Sequence, residues 1–509
     1  MDNKTENNKR LVKNTIALYC RTAIVMVVSL IVTRYLLKVL GEEDYGLYSV
    51  VASVVVMFTF LNASMTQAIQ RFITYELGRD DAVRVKKVFS MSFITQLLMI
   101  VVLVILCEGI GVWFINYKLK IDPDRIFAAN WAFQFSIITF CINFLRVPYE
   151  STVIAYEKMS FFAYASIVDA VIKLVLVFLL SISPVDKLVT YAFLLAAESL
   201  LMYLVYRFYC RRKFEISHFR FIWDKDVFVN LLSYSGWSVC GSATNIATQK
   251  GFVFLLNYYV SLVANAAMGI ATQVSTAVNS FVTGFQTSFR PQIVKAYAQD
   301  DKQYLVSLIT KTSKLSFILV FIPAIIIIVN APLILRIWLT DVPDYTVSFC
   351  RLILVCCVID GLTGPYNCAI MATGNIRNYQ IAISISFALD LVLCWFFLAK
   401  GMSAHYILYF RILTRGIFNM FIGLYYLQKQ LSFDILTYAK NVLVPISAFL
   451  LMFLPVIILI QYKMTEWPLF FMSTGYILIV GLVLSYTVVF TKSERLYVKS
   501  FLHINKKDA

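Results

Sequence analysis

The sequence predicts an all-α polytopic membrane protein of about fourteen transmembrane helices, and three observations predict it. Of 509 residues, 60% are apolar and the mean hydropathy is +0.76. Only 15% are Asp, Glu, Lys or Arg, against about 25% in soluble domains, too few to clothe the several domains a soluble chain of this length would need. The apolar residues come in blocks of about twenty, the length of helix that crosses a bilayer of roughly 30 Å. A soluble enzyme, a secreted disulfide scaffold and a disordered interaction protein are thereby excluded.

Windows of about twenty residues place the spans at 14–37, 45–63, 88–115, 126–147, 160–181, 188–208, 229–256, 262–288, 305–330, 346–371, 378–399, 403–427, 440–461 and 467–490. Spans seven and eight are rich in Ser, Thr, Asn and Gly, and such helices line a cavity or a packed interface rather than lipid. Residues 1–13 are polar and basic, but the apolar stretch behind them is long, holds Arg21 and Arg34, and has no small-residue cleavage site, so the first helix is expected to stay. With the N-terminus inside, 30 of the 45 Lys and Arg fall in or beside inner connections and 8 in outer ones. The positive-inside rule therefore puts both termini in the cytoplasm. It also accounts for most of the net charge of +16, so no nucleic-acid partner is implied.

An internal repeat organises the chain. The stretches beginning Pro148-Tyr149 and Pro365-Tyr366 align at an offset of 217, and each ends in a Leu-Val-Leu run. Arg71 and Arg290 lie 219 apart, and the pairs Asp80-Asp81 and Asp300-Asp301 lie 220 apart. Two six-helix halves follow: a first lobe over 1–210, a cytoplasmic connection over 211–228, a second lobe over 229–430, and two extra spans with a cytoplasmic tail over 431–509. Six spans per half make the repeats parallel, and a path opening alternately to each side is the expectation. Pro148 and Pro365, near equivalent ends of spans four and ten, end or hinge their helices.

Charge inside hydrocarbon costs a few kcal/mol even on lenient scales, so the intramembrane charges are the functional candidates. The bases are Arg21, Arg34, Lys173, Lys250, Arg351, Arg411 and Arg415; the acids are Glu108, Asp169, Glu198, Asp360 and Asp390. Arg34, Glu108 and Arg351 are close enough to span ends to snorkel. Asp169 and Lys173, four apart, can neutralise each other. Arg411 and Arg415 share a face and have no acid near them in sequence, so acids of other helices or an anionic ligand must meet them; the guanidinium fork suits phosphate oxygens. Arg21, Lys173, Lys250, Arg411 and Arg415 are the candidates for a cationic substrate cavity. Asp169, Glu198, Asp360 and Asp390 are candidates for charge pairing or for a coupling ion, Na+ or H+. Ten scattered cysteines and three distant histidines form no metal motif, and no nucleotide-binding Gly-Lys loop exists. No cofactor is expected, and any driving force comes from ion gradients or the membrane potential.

The basic start, the stretch GEEDYGLYSVV (Gly41–Val51) and the span-eight exit FRPQIVKAYAQDD (Phe289–Asp301), with two six-helix halves, resemble the polysaccharide-transporter branch of the multidrug/oligosaccharidyl-lipid/polysaccharide (MOP) exporter superfamily. Similar members are Wzx-type flippases of O-antigen or capsule repeat units, related to lipid II flippases and MATE drug exporters. The resemblance implies two lobes around a cationic cavity. It also implies that an undecaprenyl-diphosphate-linked oligosaccharide moves to the outer leaflet of the cytoplasmic membrane, with polysaccharide assembly proteins as further contacts. Essential arginines on the first and seventh spans of relatives correspond here to Arg21 and, as a departure, Lys250. A MATE-type ion-coupled drug or cation antiporter is the alternative; its cavity favours carboxylates and aromatics, and seven bases against five acids speak against it. The short outer connections speak against an enzyme.

Overall fold

The computed structural model describes residues 2–117, 121–339, 341–461, 467–491 and 494–495, in which helices are the only regular elements. The expected spans are all present and mostly longer than the apolar windows, because polar helix ends continue past the hydrocarbon-length core. Asp2–Val56 holds span one and the start of span two, broken at Gly41 with φ 79°, a left-handed conformation that glycine adopts without penalty. Thr59–Gly78 completes span two. Spans three to six occupy Ala82–Tyr117, Pro123–Ala155, Met159–Ile182 and Lys187–Lys213. Spans seven and eight are Lys225–Tyr259 and Leu262–Ala298. Lys302–Leu339, Thr346–Thr373, Arg377–Ala399 and His405–Leu431 are spans nine to twelve. Span thirteen runs through Val444–Gln461, and Trp467–Leu484 begins span fourteen. Eleven of these helices are long and apolar enough to cross a membrane. Spans two, seven and eight fall short of that measure, the last two as their composition foretold.

The repeat is written into local geometry. Asp80 (φ 57°) and Asp300 (φ 52°) both turn the chain in the left-handed region. The next residue in each case caps the following helix: Asp81 Oδ1 accepts from Arg84 N and Asp301 Oδ1 from Tyr304 N, both at 2.9 Å. The turn after span four uses Glu157 at φ 57°, and its equivalent after span ten is Gly374 at φ 80°. Pro148 and Pro365 do not terminate their helices, which run on to Ala155 and Thr373; neighbouring helices support the backbone where the prolines withhold a hydrogen bond.

Contacts divide the chain into two compact units, Met1–Ser242 with Thr287–Asp300, and Ala243–Gln286 with Asp301–Ala509. The division falls inside spans seven and eight. The 211–228 connection is held to the first unit: Lys86 pairs with Glu215 at 2.6 Å, Lys87 with Asp224 at 3.2 Å, and Phe219 lies 5.0 Å from Phe93. In the second unit span thirteen packs on span nine through Phe317, Phe321, Phe449 and Phe453, and on span fourteen the Ser473 hydroxyl donates to Asn330 Oδ1 at 3.2 Å. Lys314, 1% exposed, meets Glu494 at 3.2 Å.

Candidate functional site

Within the first unit, spans one, four, five and six bring six charged side chains into one cluster. Lys173 Nζ binds Asp169 at 2.9 Å, the pairing their spacing suggested. Glu198, whose Oε2 accepts from the Ser199 hydroxyl at 3.4 Å, is an electrostatic neighbour of Asp169. Arg146 and Glu150 join them, 3.5 Å apart; by the sequence limits Arg146 counts with the connection after span four and Glu150 lies past its end at residue 147, so neither is among the intramembrane candidates. Arg21 lies over the Phe162 ring at 4.7 Å, with Glu150 and Asp169 among its electrostatic neighbours. Three bases meet three acids here.

The second unit builds a looser cluster. Span twelve carries a π-helical turn over Ile412–Phe418, a local widening common where a helix presents functional groups. Gly416 lets this turn approach span ten, since a Cβ there would come within 2.7 Å of Ile359 Cδ1. Hydrogen bonds from Ser386 to the Thr414 carbonyl and from Thr248 to the Phe387 carbonyl tie spans twelve and seven to span eleven. Arg415 Nη2 thereby reaches Asn245 Oδ1 at 2.6 Å, while its guanidinium stacks on Phe387 at 4.3 Å. Its Nη1 is buried and reaches no acceptor among the described residues. Asp360 and Asp390 are the acids that face the arginine pair. Neither forms an ion pair within 4 Å with Arg411 or Arg415 among the described residues. Asp390 is completely buried, accepting from the Cys394 thiol at 3.8 Å.

The remaining charges sort differently. Lys250 is exposed and makes no ion pair or hydrogen bond among the described residues. Arg34 is exposed. Glu108 accepts from Gln134 at 3.2 Å, and Arg351 donates to the Ile328 carbonyl at 3.0 Å.

A further polar surface was not singled out residue by residue from sequence. Thr272, Gln273, Thr276 and Thr283 are exposed on span eight, with Ser280 half-exposed among them. The four hydroxyls donate to the carbonyls of Met268, Thr272, Thr276 and Asn279 at 2.8–2.9 Å. Three- and four-residue spacing, which puts these residues on one face, was the available signal.

Comparison with known proteins agrees with this architecture. Residues 11–297, more than half the chain, match the family described as polysaccharide biosynthesis protein, and residues 247–396 match MatE. Among solved structures, a MATE mutant is similar with a TM-score of 0.75 and 12% identity, covering 84% of this chain and 96% of that one. An outward-facing multidrug resistance MATE family transporter of the MOP superfamily gives a TM-score of 0.74 at 12% identity, with the same coverage. A MOP superfamily transporter from Pyrococcus furiosus, described as having a binding pocket of reversed polarity, gives 0.71 at 12% identity over 82% of this chain and 96% of that one. No curated protein matches. The chain belongs to the polysaccharide biosynthesis protein family, the polysaccharide branch of the MOP exporter superfamily, and is a multi-pass membrane transporter.

Proposed function

We propose that the protein is a flippase that carries undecaprenyl-diphosphate-linked oligosaccharide repeat units across the cytoplasmic membrane by alternating access, supplying O-antigen, capsule or another surface polysaccharide. The observation that carries this reading is the exposed hydroxyl and amide face of span eight. Such a face at membrane depth suits a hydrated path, and hydroxyl and amide groups, able to accept as well as donate, suit a ligand rich in hydroxyls. The match of residues 11–297 to the polysaccharide biosynthesis family supports the same substrate class.

The diphosphate would be met by Arg21, Lys173, Lys250, Arg411 and Arg415. At Lys173, phosphate oxygens must displace the Asp169 carboxylate; Arg21, Arg411, Arg415 and Lys250 carry no ion pair among the described residues. Both termini are cytoplasmic in this reading, by the positive-inside bias. Drug antiport is favoured only by the MatE match over residues 247–396. Deletion of the gene in a glycan-producing cell separates the two. Flippase function predicts loss of surface glycan, lipid-linked repeat units accumulating on the cytoplasmic leaflet, and unchanged drug accumulation. Normal glycan with raised drug accumulation would establish the antiporter.

A further inference from the structure

A cavity of about 290 Å³ opens in the first unit between the start of span one, the turn after span four and the end of span six. The positive-inside bias puts this end of the unit in the cytoplasm. Its volume is close to the lower limit for small-molecule sites, about 300 Å³, a size for a sugar ring rather than for a chain of them. One side is aromatic, lined by Tyr156, Phe161 and Tyr209. Phe161 and Tyr209 stack face to face at 3.6 Å, and Tyr156 stacks on Phe214 at 4.3 Å. The rings are therefore held in place before any ligand arrives.

The other side is polar and short of partners. Asn14 lines the cavity and is only 7% exposed, and its side-chain amide has no hydrogen-bond partner among the described residues. A buried amide in that position is costly unless a ligand or water completes it. Glu157 Oε1 accepts from Lys295 Nζ at 2.6 Å, which fixes the carboxylate and balances its charge, while Oε2 meets no donor among the described residues. The Glu157 backbone stands at φ 57°, whereas the equivalent turn of the second half uses Gly374 at φ 80°. Keeping a side chain in this left-handed turn costs strain that glycine avoids. Ser160 adds a hydroxyl, and Lys158, which is exposed, an ammonium.

Fixed aromatic rings beside carboxylate, amide and hydroxyl groups match a sugar, which offers an apolar C–H face and an edge of hydroxyls that donate and accept. A phosphate would find one exposed ammonium, no guanidinium, and a carboxylate that repels it. We propose that this cavity is a glycan subsite. It takes one sugar ring of the repeat unit from the cytoplasmic side, against the aromatic wall and with its hydroxyls on Asn14 and Glu157, so that the first unit selects its substrate by sugar. The subsite rests on the flippase reading and adds to it the part of the substrate that this unit recognises.

Saturation-transfer NMR tests it on the purified full-length protein in lipid nanodiscs. The probe is the repeat-unit oligosaccharide freed of lipid and diphosphate by mild acid, and inorganic diphosphate is the competitor. Saturation is expected to pass from the protein to the sugar protons, with affinity at least tenfold weaker in Asn14→Leu and Tyr209→Leu, kept in Tyr209→Phe, and unchanged by diphosphate. Should a variant fail to fold, a photoreactive form of the same oligosaccharide maps the site on the wild type, with label expected within residues 156–161 or at Tyr209. No transfer in the wild type, equal affinity in Asn14→Leu and Tyr209→Leu, displacement by diphosphate, or label confined to other residues would overturn the proposal. Binding is read without transport, so its failure is distinct from that of the flippase reading: glycan lost on gene deletion with no saturation transfer removes the subsite and leaves the flippase.

Discussion

Arg411 and Arg415 have Asp360 and Asp390 beside them without ion pairing to them among the described residues. Arg415 spends one nitrogen on Asn245 and its face on Phe387, an arrangement that needs a planar fork. Arg415→Lys keeps the charge but loses the fork and the stacking, and is expected to cut surface glycan at least tenfold while the protein still inserts at wild-type levels. Lys250→Gln makes the contrast. The side chain is exposed and has no partner among the described residues, so its melting temperature in detergent should stay that of wild type while glycan export falls. A drop in stability without a drop in export would make Lys250 structural. The charges themselves were legible in the sequence because hydrocarbon tolerates so few. Their partners were not: Asp360 and Asp390 sit on other helices, and no spacing rule connects them to span twelve. Arg146 and Glu150 escape the list because they flank the limit set for span four at residue 147, whereas packing carries that helix on to Ala155.

At the scale of elements, the ends of spans two and eight meet closely within the first unit. A Cβ on Gly78 would lie 2.8 Å from Ala298 Cβ and 3.1 Å from the Lys295 backbone, and Lys295 also holds Glu157 at 2.6 Å. Gly78→Ala must push the two helix ends apart, and overpacking of this kind costs about 1–3 kcal/mol; a lowered thermal midpoint in detergent checks it. The 211–228 connection makes a pH prediction. Lys86 holds the Glu215 carboxyl below its ordinary range. The Val227 N–H, and then Lys87, do the same for Asp224. A carboxylate lowered in the docked state contributes stability that is present above its free value, about 4, and is lost as pH falls through the lower docked value. Pepsin cleavage of this connection should therefore stay slow at pH 5 and rise sharply below about pH 4; a cleavage rate independent of pH over that range would contradict the ion-pair docking. Helix existence and order were readable from hydropathy alone. The docking was not, since Glu215 and Asp224 carry no periodic signal and find their lysines only once span three is folded beneath them.

For the whole molecule, duplication is the organising fact. The same aspartate pair turns the chain and caps the next helix in both halves, and the paired prolines each lie inside a helix, two turns before its end. The sequence placed the border between the lobes in a connection. Contacts within the chain part the two compact units inside spans seven and eight, the helices set apart by their polar composition. The two most polar membrane helices contribute residues to both units, and each unit holds its own cluster of charged side chains. The most direct measurement is leaflet exchange of a fluorescent undecaprenyl-diphosphate-linked oligosaccharide in proteoliposomes, read by accessibility to an external glycosidase. The account predicts that wild-type protein equilibrates the lipid between leaflets and that the Arg411→Glu, Arg415→Glu double variant, equally well inserted, does not. Lipid that stays in its leaflet with the wild type, or crosses equally fast with the double variant, would contradict it.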